Sequence, residues 1–350
     1  MSNHTVRTGP GLLERLAEGS VICAEGYLFE CERRGYVQAG AFVPEVVLEH
    51  PEVVESLHRD FVHAGSDVVE AFTYYAHREK LRIIGKEHLL EEMNRQALAI
   101  ARKVANETNT LLAGDICNTN IFLGDPESAR AVRAMFEEQV GWAVDAGVDF
   151  VIAETIDWVE EALIALEVIK QAGLPAVVTL SAHLGNKVRE GLPIAEACRR
   201  LEAAGADVVG LNCHRGPHTM LPLIKEVRAA VSCPVAALPV PYRTTEQYPT
   251  FISLQDPHYA SPTGRPFPTA LDPFTCTRYE IADFTRAAHD LGVRYLGVCC
   301  GAGPHHIRAM AEALGRTPPA SKYTADMSKH AYLGSDPSLK KENLALMNEL

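Results

Sequence analysis

No stretch of this 350-residue chain approaches the roughly twenty consecutive apolar residues that a membrane-spanning helix needs. The opening residues Met1-Ser2-Asn3-His4-Thr5-Val6-Arg7 lack a basic flank followed by an apolar core, so export is not expected. Positive charge is scarce as well: the formal net charge of −12 argues against nucleic acid or an anionic membrane as the main partner. The nine cysteines are odd in number and scattered, which excludes the dense framework of a small secreted domain and favours reduced thiols in a cytoplasm. None of them forms a CxxC pair, so the usual spacing of a structural zinc site is missing. A small-molecule substrate is the partner class that remains.

What is present is an alternation. Short apolar runs recur at Val21–Glu25, Asp67–Thr73, Thr110–Asp115, Asp149–Glu154, Ala176–Ser181, Asp207–Cys213, Pro234–Pro239 and Arg294–Cys300, with helix-like stretches between them. Several are entered through Ala-Gly-x-Asp or Leu-Gly-Val: Ala64-Gly65-Ser66-Asp67, Ala146-Gly147-Val148-Asp149, Ala204-Gly205-Ala206-Asp207 and Leu291-Gly292-Val293-Arg294. A glycine there ends a helix and turns the chain into the next strand. Eight such units predict a single (β/α)8 TIM barrel over residues 11–320, followed by a tail or short arm over 321–350. The 47% hydrophobic content is ample for a core of that size. Two longer excursions, 30–50 and 240–275, leave from the carboxyl ends of strands and are read as lids or as ordered surface loops.

Barrel enzymes place their chemistry at those carboxyl ends. There the chain offers Glu25, Thr73 with Tyr74 and Tyr75, Asp115 to Asn118, Glu154, Ser181, Cys213, and Cys299 with Cys300. Taken singly, each cysteine reads as a small buried hydrophobe. Gathered on one face, Cys213, Cys299 and Cys300 offer three sulfurs to a metal, with Gly297, Gly301 and Gly303 supplying the bend that adjacent cysteines need to converge. Such a thiolate set with an open fourth position suits Zn2+, which binds a further thiol and makes it a nucleophile near neutral pH. His214 and His218 beside Cys213 are alternative ligands or plain hydrogen-bonded residues, and Asp115, Asn118 and Asn120 orient a substrate or cap the following helix. The aromatic residues Phe42, Phe72, Tyr74 and Tyr75 read either as core packing or as a cation–π box for a positively charged ligand.

Glu25-Gly26, Gly210-Leu211-Asn212-Cys213 and Gly297-Val298-Cys299-Cys300-Gly301 resemble the motifs of the zinc-dependent homocysteine S-methyltransferases, in particular those that use betaine. Arg33-Arg34-Gly35-Tyr36-Val37, Glu49-His50-Pro51-Glu52, Phe72-Thr73-Tyr74-Tyr75-Ala76 and Pro304-His305-His306-Ile307-Arg308 extend the likeness over about residues 11–320. The resemblance implies zinc on Cys213, Cys299 and Cys300, Glu154 on the amino group of homocysteine, and Tyr75 lining the donor site. Glu25, Phe42, Phe72, Thr73 and Tyr74 complete the expected substrate site. Three positions depart from the betaine-using pattern: Glu25 stands for Asp, Phe42 for Trp, and Thr155 for a Tyr. The expected reaction moves a methyl group from a betaine-like or sulfonium donor to homocysteine, giving methionine. The competing readings are a homocysteine-activating subunit supplied by a partner's methylcobalamin, and a non-catalytic zinc- or redox-sensing barrel. Assembly into homo-oligomers is left open.

Overall fold

The structure, a computed structural model, describes residues 9–183, 185–258 and 264–346. The amino-terminal heptapeptide weighed for export, residues 259–263 of the second excursion and the last four residues of the tail lie outside them. Eight parallel strands close a barrel in sequence order: β1 (Val21–Ala24), β2 (Val68–Glu70), β3 (Leu111–Cys117), β4 (Phe150–Ile156), β5 (Ala176–Leu180), β6 (Val208–Asn212), β7 (Val235–Leu238) and β8 (Tyr295–Val298). β8 pairs back onto β1 from Val21↔Tyr295 to Ala24↔Val298, which removes both sheet edges. Each strand is followed by one barrel helix: α1 (Pro51–Ala64), α2 (Leu90–Thr108), α3 (Pro126–Ala146), α4 (Val159–Gln171), α5 (Ile194–Ala203), α6 (Pro217–Ala230), α7 (Arg278–Asp290) and α8 (Pro304–Ala313). This is the (β/α)8 barrel expected from the alternation. No helix among the described residues is long and apolar enough to cross a membrane.

The core has two compartments. Inside the barrel, Val21, Val68, Leu111, Phe150, Val177 and Tyr295 pack together, and a short helix, Leu12–Glu18, adds Leu12 and Leu16 to that group. Outside, the second faces of the strands meet the apolar stripes of the helices. With both faces covered, every strand is buried along its whole length.

The Ala-Gly-x-Asp entrances have a second use beyond the glycine turn. Asp67, Asp149 and Asp207 each accept, through Oδ2, the backbone N–H of a residue on the preceding strand: Ile22, Leu112 and Ala176, each at 2.8 Å. The backbone N–H groups of the same aspartates donate to the carbonyls of Ile22, Leu112 and Ala176. Each aspartate therefore clips neighbouring strands together at the amino end of the barrel.

Strand ends differ from the sequence expectation in an informative way. β2 stops at Glu70 and β8 at Val298, which frees Thr73 to Tyr75 and Cys299-Cys300 from the ladder. β4 instead runs past Glu154 to Ile156, with a register shift against β5 between Ala153 and Ile156. Thr155 there has φ +57°, outside the normal strand region, so the chain re-aims its side chains at this point.

Candidate metal and substrate site

Non-glycine residues with left-handed backbone gather at the carboxyl end of the barrel. Tyr75 (φ +62°), Thr155 (+57°), Cys213 (+56°), His214 (+53°) and Phe42 (+56°) are among them. Such conformations cost energy for residues with a Cβ and persist only where surrounding bonds hold them. Cys213 is held by its N–H donating to Leu238 O at 2.9 Å, and Cys299 by its N–H donating to Pro239 O at 2.9 Å. The two turns are thus both hung from the end of β7.

The result is convergence of Cys213, Cys299 and Cys300, whose sulfurs all lie within 4.8 Å of one another and are buried. A tetrahedral zinc with Zn–S bonds of about 2.3 Å separates its sulfurs by about 3.8 Å, so this group matches the donor set for that ion. The thiols of Cys299 and Cys300 hydrogen-bond to Cys213 and hold it well below the ordinary thiol range. Burial pushes Cys299 up, and the bond to Cys213 pushes Cys300 up.

A clamp fixes the paired-cysteine turn. Arg33, from the short helix Tyr27–Arg33, donates from Nη2 to Tyr242 Oη at 2.7 Å and from Nη1 to Gly301 O at 3.2 Å. Gly301 has φ +95°, and a Cβ there would stand 2.3 Å from Tyr242 Oη. Only glycine fits, so this residue is dictated by space as well as by backbone angle.

Beside the sulfurs stands Asn212, fully buried and bonded on every side. Its Oδ1 accepts from Thr155 N at 2.8 Å and Thr179 Oγ1 at 3.0 Å. Its Nδ2 donates to Thr155 Oγ1 at 2.9 Å, to Glu25 Oε2 at 3.4 Å and to Glu154 Oε2. Oxygens of Glu25 and Glu154 and the sulfur of Cys299 lie within 4.8 Å of one another. Burial raises the Glu25 carboxyl to about 8 and lifts Glu154 well above the usual range. The sequence assigns Asn212 no role of its own; its position immediately before Cys213 is the signal that points to it. Glu70 and Asp115 are two further carboxylates in the same buried well.

The aromatic residues divide. The rings of Tyr74 and Tyr75 meet tilted, 4.3 Å between centres, and the Tyr75 N–H donates to Cys117 Sγ at 3.3 Å. Lys80 Nζ lies 3.9 Å from the centre of the Tyr75 ring. Phe72 is buried against Tyr27 at 5.7 Å, and Thr73 Oγ1 donates to Asp115 O at 2.7 Å. Phe42 instead packs on Phe29 at 5.6 Å, within a cluster that includes Phe251 and Phe267. That cluster joins the two excursions to each other.

A separate cavity of about 410 Å³ is lined by Tyr75, Asn118, Thr155, Trp158, His183 and His214 among others. A groove of about 510 Å³ lies outside the barrel between α6 and α7; none of the three cysteines lines either space, but Thr155 and His214, the chain neighbours of Glu154 and Cys213, line the 410 Å³ cavity, which is therefore the one that bears on the chemistry. His214 bonds Ser181 Oγ and packs its ring, tilted, against His183 at 4.2 Å, while His218 lines the outer groove. Neither belongs to a ligand group among the described residues. The cap of α3 is Asp125, which accepts from Glu127 N and Ser128 N, and not Asp115, Asn118 or Asn120.

Residues 27–314 match the family model described as homocysteine S-methyltransferase. The chain is 39% identical over 340 residues to betaine–homocysteine S-methyltransferase 1 of Xenopus tropicalis, covering 93% of this chain and 80% of that protein. It is 37% identical over 336 residues to S-methylmethionine–homocysteine S-methyltransferase of Pongo abelii, covering 93% and 86%. The metallated homocysteine methyltransferase MmuM from Escherichia coli shares the fold, with a TM-score of 0.66 at 18% identity over 85% of this chain and 97% of that one.

Proposed function

This chain belongs to the homocysteine S-methyltransferase family and transfers a methyl group to the thiol of homocysteine; from that premise we propose that Cys213, Cys299 and Cys300 hold one zinc ion, that Glu154 and Glu25 receive the acceptor's ammonium group, and that the donor is a methylated onium compound carrying a carboxylate. The observation that supports this most strongly is the convergence of three buried sulfurs beside two buried carboxylates, with Thr155 and His214, next in the chain to Glu154 and Cys213, bordering a cavity that Tyr75 also lines. Zinc on these sulfurs would take the acceptor thiol as a further ligand and lower its pKa, so that it reacts as a thiolate.

The protein's own groups then orient the reactants. Glu154 and Glu25 accept hydrogen bonds from the acceptor's ammonium, and Asn212 fixes both carboxylates by donating to each. The ring of Tyr75 offers its negative face to the cationic methyl centre, with the tilted ring of Tyr74 against it. In the transfer, a sulfur–carbon bond forms as the methyl carbon's bond to nitrogen or sulfur breaks. The electron pair of the broken bond stays on the leaving atom, which becomes a neutral amine or thioether. An anion and a cation are consumed together, so a buried site strengthens their attraction, and fixed geometry lowers the entropic cost.

Lys80 bears on the donor class. Its ammonium is half-buried against Tyr75 and has no ion pair among the described residues. A second positive charge next to an onium site is favourable only if the donor brings a negative group to meet it. Betaines and S-methylated amino acids both do so, matching the two kinds of donor named for the relatives. The test is a screen of glycine betaine, other betaines, S-methylmethionine and dimethylsulfonio compounds with zinc-loaded protein and homocysteine. Methionine formation from at least one of these is expected. Turnover with methylcobalamin and with none of them would overturn the onium proposal in favour of a partner-supplied corrinoid, and absence of any methyl transfer would point to a sensing barrel.

A further inference from the structure

The cavity that Tyr75 lines is larger than a small betaine needs. Glycine betaine has eight non-hydrogen atoms and fills about 240 Å³ even if each takes the liquid-water share of about 30 Å³. The cavity measures about 410 Å³. Its lining divides by chemistry. The polar groups are bonded within the protein: Asp157 accepts from Arg189 Nε at 2.6 Å and bonds His183 Nε2 at 3.1 Å, Asn118 Nδ2 donates to Thr155 O at 2.9 Å, and Glu161 Oε1 accepts from Thr119 N at 2.9 Å. The apolar groups are what remains for a ligand. Phe122 and Trp158 meet edge to face at 5.4 Å, Ile252 of the second excursion lines the same space, and Leu123 beside them is 74% exposed. Cavities of this size bind mainly through apolar and aromatic walls, with a few polar groups fixing orientation.

An onium centre held at Tyr75 carries more arms than the reaction uses. The transferred methyl faces the acceptor sulfur and the arm with the carboxylate turns to Lys80, so a further arm is free to enter the apolar part of the cavity. We propose that Phe122, Trp158 and Ile252, with Leu123 at the solvent edge, form an apolar subsite for that arm, and that the enzyme therefore prefers betaines bearing an alkyl or ring substituent on the onium centre to glycine betaine. The proposal rests on the donor's onium centre lying at Tyr75, as proposed above. Burying the substituent against these side chains removes apolar surface from water on both partners. The chemistry is unchanged: from an N-butyl donor the bond between the methyl carbon and nitrogen breaks, its electron pair stays on nitrogen, and N-butyl-N-methylglycine leaves as the methyl joins the acceptor sulfur. The butyl carbon next to nitrogen is the more hindered to in-line attack, so the methyl is the group that moves.

The experiment measures kcat/KM for glycine betaine and for N-butyl-N,N-dimethylglycine with zinc-loaded wild type, Phe122→Ala, Trp158→Ala and Trp158→Phe. The matched sulfonium pair, dimethylsulfonioacetate and butylmethylsulfonioacetate, is run alongside, so that an enzyme restricted to sulfonium donors is decided as well. The readout is the ratio of the butyl to the methyl donor within one protein, in which a loss of folded or zinc-loaded enzyme cancels. Each buried methylene is worth about fourfold, so the three that butyl adds should give wild type a ratio of about 10 or more, carried by KM. Each alanine variant should lower that ratio by about threefold or more, and Trp158→Phe, which keeps an aromatic wall, should hold most of it. The two alanine changes sit in different loops, so failure of one to fold leaves the other decisive. A wild-type ratio near or below 1, with the methyl donor active, overturns the subsite and leaves the proposed reaction standing. A high ratio that neither alanine variant lowers also overturns it, because the substituent then binds elsewhere. Wild-type protein that uses no onium donor at all overturns the proposed reaction, and the subsite with it.

Discussion

The two ends of the barrel treat acidic side chains in opposite ways. At the amino end, Asp67, Asp149 and Asp207 are each satisfied by a backbone N–H of the neighbouring strand, and Asp67 and Asp207 also pair with Arg316 at 2.6 Å and Lys170 at 2.8 Å. At the carboxyl end, Glu25, Glu70, Asp115 and Glu154 are buried with no cationic side chain among the described residues, and the backbone turns through left-handed residues to reach them. The first arrangement is complete in itself and stabilises the fold. The second is incomplete without a ligand, so the energy it forgoes in the free protein is available for binding.

Breaking the carboxyl end should cost function first. Cys299→Ser removes one sulfur from the group, and we expect zinc content to collapse and methyl transfer to fall by at least about 100-fold, measured by metal analysis and methionine formation. Gly301→Ala drives a methyl group into Tyr242 and should weaken zinc binding by about 10- to 100-fold, as for other groups that orient metal ligands, read by competition with a chelator. Tyr75→Ala should raise the donor KM by about 5- to 30-fold, equivalent to about 1–2 kcal/mol of cation–π attraction, with zinc content and homocysteine affinity kept.

Breaking the amino end should do the reverse. Asp149→Ala leaves the Leu112 N–H without its side-chain acceptor, and a stability loss of about 1–3 kcal/mol is expected, seen in denaturant unfolding while both KM values stay at wild-type levels. A change in either KM would show that the two ends are coupled. The smallest effect concerns pH. Burial holds His58 near 3 and His77 and His306 near 4, below the ordinary histidine value. As pH falls from about 6.5 towards those values the unfolded chain takes up protons that the folded one refuses, so the histidines' share of stability should decline through that window, against the carboxyls that burial lifts at the other end, whose share grows as pH falls. An unfolding midpoint with the same pH dependence in wild type and in His77→Gln would contradict this.

Much of the architecture was legible because it is written locally. Runs of β-branched residues, glycine entrances and amphipathic stretches repeat within a few residues, so eight units are visible without any contact map. The Asn-Cys and paired-cysteine motifs were legible for the same reason. The carboxylate well was harder to read. Along strands buried on both faces, inward and outward positions are both apolar in character, and nothing in the run Leu111–Cys117 marks Asp115 as the residue that meets Glu70 and Glu154. Phe42 shows the limit from the other side, since its place among Phe29, Phe251 and Phe267 depends on two excursions about 200 residues apart folding onto each other.

Sequence by itself determined the strand–helix alternation, the closed barrel it implies and the residue types available at the carboxyl face. Tertiary structure decided which of those residues meet: that Cys213 joins Cys299 and Cys300 across the ends of β6, β7 and β8, that Asn212 ties Glu25 to Glu154, and that Glu70 and Asp115 open inward under them. The physical reason is range. Secondary structure follows from the preferences of neighbouring residues, whereas the convergence of side chains from separate strands is set by barrel closure, strand register and a few strained turns that no short stretch of sequence contains.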